Sequence, residues 1–415
     1  MKALFRLLAA WLLLAAPGLA SAQLAPIDTT GGRYYRPVFS AVTVTSGVVY
    51  GSAAPFNSTT PQALLLDVYQ PAGDTVVRRP LIIFAHQGGF FLGSKTDPYM
   101  ISVCTRLARL GYVTASIDYR LGYPLTGLAQ PADTLGVAQA AIRAMQDMRA
   151  AVRFFRQDAA TAKTYRVHSS YIVVGGSSAG AFAALETGYL DKLSELPAYL
   201  DLAALGGIEG TGGNAAYSSA VAAVLNLSGA TESPSIIEAG NAPLCSVHGT
   251  ADNTVPYLQG RIGGGLIPPK YVYGSGRLHP RATAVGVRNT LRTFSRAGHI
   301  PFENSAAYAD STFWTIRDFL RPVLRLAGTP LAARTGSGVV PIAHAYPLPA
   351  RDYVQLALPA NWRALGDADL LDPTGQTVRR LTPTAQSWQL PRGALAAGSY
   401  FVRFAGQPPV RVVFE

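Results

Sequence analysis

Between about residues 38 and 326 the chain alternates strand-like apolar runs with helix-periodic stretches, and this alternation limits the possible folds more than any other feature. Leu64-Leu65-Leu66-Asp67-Val68-Tyr69 and Leu81-Ile82-Ile83-Phe84-Ala85 read as strands. The second is an unbroken apolar run, suited to a sheet covered on both faces. Residues 100–110 are amphipathic and stop at Gly111, as a helix should. A strand over 113–119, a long helix within 134–157, a strand over 171–174 and a helix from Ala179 follow. Further strands are expected over 221–227, 243–247 and 290–294, with a last helix over 307–326. Such alternation implies an α/β fold, a mostly parallel central sheet with helices on both faces. The strands before Pro80 are joined without helices and are expected to be antiparallel.

The pattern changes after residue 326. Gly328-Thr329-Pro330 and Thr335-Gly336-Ser337-Gly338 are linker-like, and no helical period follows them. Short alternating segments recur at 353–358, 368–372, 377–381, 399–404 and 410–414, parted by turns such as Pro373-Thr374-Gly375. That is the pattern of a small all-β sandwich. The expected division is therefore 23–327 for the α/β domain, 328–340 for a linker and 341–415 for the β-sandwich, after a leader over 1–22.

Composition bears on the compartment. The chain is 49% hydrophobic and only 14% charged, which raises a membrane protein. Its longest apolar run, from Leu7 to Ala16, falls far short of the roughly 20 residues a spanning helix needs. Lys2 and Arg6 precede that run, Pro17-Gly18 breaks it, and Ala20-Ser21-Ala22 is a small-x-small cleavage site, so a signal peptide is expected with the mature chain starting at Gln23. The competing reading, an uncleaved anchor, is disfavoured by the shortness of the apolar core. A net charge of +11 comes from 35 basic and 24 acidic residues, but the arginines are scattered and only Arg78-Arg79 and Arg379-Arg380 adjoin. A nucleic-acid binder needs a concentrated basic stripe, so that class is set aside. The two cysteines, Cys104 and Cys245, are too few for a disulfide framework; they either pair in an oxidising compartment or stay as buried thiols.

The sharpest local signal is Gly176-Ser177-Ser178-Ala179-Gly180, a G-x-S-x-G between the strand-like Tyr171-Ile172-Val173-Val174 and a helix-like stretch. A nucleophile on a strand-to-helix bend needs flanking glycines so that the chain can turn tightly. Ser178 is the candidate nucleophile; the plainer reading is a structural turn. No phosphate-loop pattern is present. A serine needs a base, and the base a carboxylate, in the chain order Ser, Asp or Glu, His. Of six histidines, His86 and His168 precede the serine, His344 lies beyond the α/β stretch, His279 stands just before Pro280, and His248 ends a strand and is expected to brace its loop. His299, in a loop after the last strand, fits the base, with a surface histidine as its bland alternative. Asp252, in a loop leaving the strand near Pro243, fits the acid, against a helix cap. Phe84-Ala85-His86-Gln87-Gly88-Gly89-Phe90 carries a buried strand into a glycine turn, so the amides of Gly88 and Gly89, with that of Ala179, are expected to form an oxyanion hole.

These segments, together with Leu66-Asp67-Val68-Tyr69-Gln70-Pro71, Ile117-Asp118-Tyr119-Arg120-Leu121 and Gly298-His299, resemble the α/β-hydrolase-fold serine esterases of the carboxylesterase and hemicellulose-esterase kind. Gln87 departs from that family's HGGG-type loop, and Asp118-Tyr119-Arg120 reads as a structural brace. The C-terminal segment is similar to the sorting domain of type IX secretion substrates, through Ala345-Tyr346-Pro347-Leu348-Pro349-Ala350, Leu371-Asp372-Pro373-Thr374-Gly375-Gln376 and Leu395-Ala396-Ala397-Gly398-Ser399-Tyr400. Leu348 stands where that family usually has Asn. The alternative for this segment is a carbohydrate-binding or adhesive β-domain.

The expected protein is a secreted or cell-surface serine esterase, exported through the periplasm of a Gram-negative bacterium, with Ser178, His299 and Asp252 as its triad and no metal or organic cofactor. Its partners would be a small-molecule or polysaccharide ester, with acetyl and feruloyl esters of plant polysaccharide as the named possibilities, and the type IX secretion machinery. Phe90, Phe91 and Tyr123, beside inserted segments over 122–134 and 195–219, are the expected pocket residues. Activity should rise with pH through about 6 to 7, where an ordinary imidazole loses its proton. Two other readings stand beside this one: an oligopeptidase-type serine peptidase, which would need a gating domain ahead of the hydrolase, and a catalytically silent binding protein on the same fold.

Overall fold

The computed structural model describes residues 27–124, 134–197, 199–263, 270–324, 344–346, 349–358, 367–373, 376–383, 387–404 and 409–415. The leader, the linker and part of the segment over 122–134 lie outside the described residues, as do Pro347-Leu348 and Thr374-Gly375 of the C-terminal motifs. The chain divides into two compact units, Met1–Pro330 and Leu331–Glu415.

In the first unit β1 (Val42–Ala53), β2 (Gln62–Pro71) and β3 (Arg79–Ala85) lead into α1 (Pro98–Arg109), β4 (Val113–Ile117), α2 (Thr134–Ala160), β5 (Val167–Ser177) and α3 (Ala179–Tyr189). Then come β6 (Ala223–Leu227), β7 (Ala230–Thr231), β8 (Leu244–Gly249), β9 (Gln259–Arg261), β10 (Tyr271–Gly274), α4 (Ser275–Ala284), β11 (Asn289–Phe294), α5 (Pro301–Asn304) and α6 (Ala306–Val323). Eight strands form one sheet in the order β1-β2-β4-β3-β5-β6-β8-β11. β2 runs antiparallel to β1 and β4; every later pairing is parallel. This is the expected α/β architecture, antiparallel only at its start.

Burial explains the layering. All seven residues of β3 are buried, and its side chains alternate between two cores. Leu81, Ile83 and Ala85 pack with α2 and α3 residues such as Met148 and Leu185, while Ile82 and Phe84 pack with α1 and α6 residues such as Leu107 and Ile316. The strand's two-residue period thus serves both faces. α1 starts where Asp97 Oδ1 accepts from the amides of Tyr99 and Met100, at 3.0 and 3.1 Å. It ends at Gly111, whose φ of 111° few other residues could adopt. Cys104 and Cys245 are both buried and unbonded to each other, so of the two readings left open the thiols are the ones present.

In the second unit the named strands pair antiparallel, and one isolated bridge, between Ala350 and Phe414, is parallel. β12 (His344–Tyr346), β13 (Tyr353–Ala357) and β16 (Ser387–Pro391) form one sheet; β14 (Ala368–Leu371), β15 (Thr377–Leu381), β17 (Gly398–Phe404) and β18 (Val410–Phe414) form the other. Val354, Leu356, Leu370, Val402 and Phe414 are among the buried residues of its core. Among the described residues, no helix of the chain is long and apolar enough to cross a membrane.

Candidate active site

The C-terminal ends of β3, β5, β8 and β11 face the same crevice, where open α/β sheets place their chemistry. Ser178 sits between β5 and α3 with φ 51° and ψ −117°, a strained conformation for a residue with a Cβ. The glycines on either side are sterically required. A Cβ on Gly176 would stand 2.2 Å from the Gly180 carbonyl carbon, and one on Gly180 would stand 2.1 Å from the Ala85 oxygen. The Ser178 amide, in turn, is fixed on Leu227 O at 2.9 Å.

From this bend Ser178 Oγ donates to His299 Nε2 at 2.9 Å, and His299 Nδ1 donates to Asp252 Oδ2 at 2.7 Å. Asp252 Oδ1 accepts from the amides of Thr254 and Val255 at 2.9 and 2.8 Å. Burial alone would raise the Asp252 pKa, but hydrogen bonds from His248, His299 and the Val255 amide outweigh it and hold the carboxyl well below the usual carboxylate range. It is therefore an anion that fixes the imidazole with its Nε2 free to accept.

Three residues behind Asp252 were not singled out by sequence patterns as part of the site. His248, expected as a loop brace, is fully buried; its Nε2–H faces Val255 O at 3.0 Å and Asp252 Oδ2 at 3.3 Å. Ser275 Oγ donates to His248 Nδ1 at 2.9 Å, and Asn226 Nδ2 donates to Ser275 Oγ at 3.1 Å. The network runs from β6 through α4 to the acid. A motif scan could not find it, because its members share no sequence neighbourhood.

The loop after β3 turns through three consecutive residues of positive φ, Gly88 (123°), Gly89 (63°) and Phe90 (63°). A Cβ on Gly88 would lie 2.0 Å from Leu92 O, so only glycine fits. His86 stacks on Tyr119 with centroids 4.4 Å apart, and its Nδ1 lies 2.6 Å from Gln87 O. Tyr119 donates to His86 O at 3.0 Å, while Arg120 pairs with the fully buried Asp147 at 2.8 Å. Asp118-Tyr119-Arg120 thus braces the loop from below. Among the described residues the amides of Gly88, Gly89 and Ala179 donate to no acceptor of the chain.

A pocket opens beside Ser178, lined by Gly89, Phe90, Ala179, Phe182 and Val255, with Val137, Ala138 and Ala141 of α2 and Ile262 and Val272 near the β7-β10-β9 sheet. Phe90 is there. Phe91 and Tyr123 do not line it; their rings pack on each other with centroids 5.8 Å apart, and Phe91 is 38% exposed. Their place is taken by α2 and by the small sheet, whose strands of two to four residues carry no readable period. No cluster of three or more His, Cys, Asp or Glu suited to a metal occurs among the described residues.

Residues 66–236 match the BD-FAE family, a family of α/β-hydrolase esterases; the match spans the glycine loop and the serine bend. No curated protein sequence matches the chain. Among solved structures it is similar to esterase 2 of Thermogutta terrifontis phosphorylated by paraoxon, at 23% identity and TM-score 0.48, over 70% of this chain and 97% of that one. The propionate-bound form of the same esterase gives 23% and 0.48 over 71% and 98%, and the native form 23% and 0.47 over 73% and 100%. With its α/β sheet and a BD-FAE match that spans the serine bend, the chain is a carboxylic-ester hydrolase of the α/β-hydrolase type.

Proposed function

We propose that this esterase works by acyl transfer through a triad of Ser178, His299 and Asp252. Ser178 Oγ attacks the ester carbonyl carbon while His299 Nε2 takes its proton. The amides of Gly88, Gly89 and Ala179 receive the charge that develops on the carbonyl oxygen. Collapse expels the alcohol, which leaves with the proton from His299, and the acyl group stays on Ser178. Water then attacks the acyl-enzyme, gives a proton to His299 and releases the acid as Ser178 regains its hydrogen. Asp252 holds the imidazole tautomer throughout. The observation that carries this reading is the unbroken hydrogen-bonded line from Ser178 through His299 to Asp252.

The substrates in this reading are short acyl or feruloyl esters, including acetyl groups on plant polysaccharide. Covalent labelling by a fluorophosphonate, lost in Ser178→Ala, tests the nucleophile; an unlabelled wild type would leave only the silent binding protein. Acetyl release from xylan and hydrolysis of amide analogues separate polysaccharide esterase from peptidase. The leader over 1–22 and the C-terminal unit serve export and type IX sorting in this reading, placing the enzyme outside the cell. The supporting features are the small-x-small site before Gln23 and the L-x-x-G-x-Y over 395–400. Deleting residues 341–415 should then trap the enzyme in the periplasm; normal release of the truncated chain would overturn the sorting role.

A further inference from the structure

The walls of the pocket beside Ser178 are apolar, yet Glu186, Glu232 and Lys270 also line it. Two of these three satisfy each other. Lys270 Nζ lies 2.7 Å from Glu232, and Tyr199 donates to the other Glu232 oxygen at 2.7 Å while accepting from Lys270. Glu186 differs. It is 8% exposed, and its Oε2 is buried without a hydrogen-bond partner among the described residues.

Glu186 lies eight residues beyond Ser178 on α3, about 12 Å further along the helix axis at the usual rise per residue. A second cavity, lined by Ile142, Leu190 and Ile236, shares Ala138, Glu186 and Glu232 with the first, so Glu186 borders both. Burial, reinforced by the negative charge of Glu232, pushes its pKa up to about 8. At neutral pH it is thus an uncharged carboxyl with a hydrogen to donate and an oxygen to accept. A buried polar atom without a partner costs stability unless a bound molecule supplies one.

We propose that Glu186 sets the acyl specificity, favouring acyl groups that carry a hydrogen-bonding oxygen at their far end over plain alkanoyl groups of equal length. The pocket runs between apolar walls from Ser178 to Glu186, so it is assigned here to the acyl group, the half of the ester that stays on Ser178. The inference rests on Ser178 as nucleophile, since it assigns the pocket that starts there.

The test compares p-nitrophenyl alkanoates with ω-methoxyalkanoates of the same chain length, in which one methylene is replaced by oxygen, each rate divided by that of alkaline hydrolysis. In the wild type, kcat/KM should favour the oxygen-bearing ester by at least about fivefold at one chain length, the ratio one hydrogen bond supplies. Glu186→Gln, which still donates and accepts, should keep the preference; Glu186→Leu should reverse it. A wild type that prefers the alkanoate at every length, or a preference that survives in Glu186→Leu, overturns the proposal. An enzyme that hydrolyses neither series and resists the fluorophosphonate overturns the triad reading instead, and the inference with it.

Discussion

Ser177 Oγ donates to Glu303 Oε1 at 2.5 Å, so the residue before the candidate nucleophile is tied to the short helix that follows the candidate base. Glu303 stands four positions after His299, and the helix begins at Pro301, just beyond Ile300, which is held at φ 42°. The serine bend and the histidine loop are therefore fixed to each other on the side away from the pocket, independently of the bond between Ser178 and His299.

This tie carries a pH dependence. Burial first, and then the negative charge of Asp97, raise the Glu303 pKa to about 7, against the lowering effect of the Ser177 bond. In the folded protein the group keeps its proton where the unfolded chain has already lost it. Stability should fall as pH rises from about 4.5 to about 7 and then level off. Glu303→Gln should remove that loss, raising the melting temperature relative to wild type at pH 8 but not at pH 4. Parallel melting curves for the two proteins across this range would refute the assignment.

Ser178 holds a strained backbone, and relieving it should trade activity for stability. Ser178→Ala should lower kcat/KM by at least about 10⁴-fold, the scale of losing a triad nucleophile. Ser178→Gly should be equally inactive but more stable than the alanine variant by about 1 kcal/mol, because glycine accepts positive φ without strain. Urea denaturation of the two variants measures the difference; equal midpoints would mean the bend is unstrained.

Gly88→Ala places a methyl group on the Leu92 carbonyl and forces the loop to shift. In the proposed mechanism the misplaced amides no longer meet the developing oxyanion, so kcat should drop by about 10²–10³-fold with little change in KM. Steady-state kinetics on p-nitrophenyl acetate separates the two parameters, and a loss confined to KM would remove these amides from the chemistry.

Burial raises the thiol pKa of Cys104 to about 12 and that of Cys245 at least as far. Neither should react with Ellman's reagent in the native protein, and both should react in guanidinium. Dithiothreitol should leave the melting temperature unchanged, whereas a drop would reveal a covalent link between them.

Much of this was legible in the sequence because the decisive features are local. Unbroken apolar runs mark β3 and β5, and chain order with a strand-turn-helix setting picks out Ser178, Asp252 and His299. What escaped is non-local or irregular. α4 carries Pro280 within it, which hides its period, and β7 and β9 are only two and three residues long. Asn226, Ser275 and His248 meet only after the sheet has formed. Glu186 reads as one polar residue on an apolar helix, and only folding turns it toward the pocket beside Ser178.

Strand order also sets how the site fails. Ser178 leaves β5 in the middle of the sheet, Asp252 follows β8 nearer the margin, and His299 follows β11, which among the described residues is paired on one side alone. Marginal strands open at a lower free-energy cost than central ones. Heating should thus detach His299 before Ser178, and in the proposed mechanism turnover should vanish while most of the sheet still stands. The durability of this enzyme is that of its outermost ladder, and reinforcing β11 would prolong activity more than any improvement to the centre.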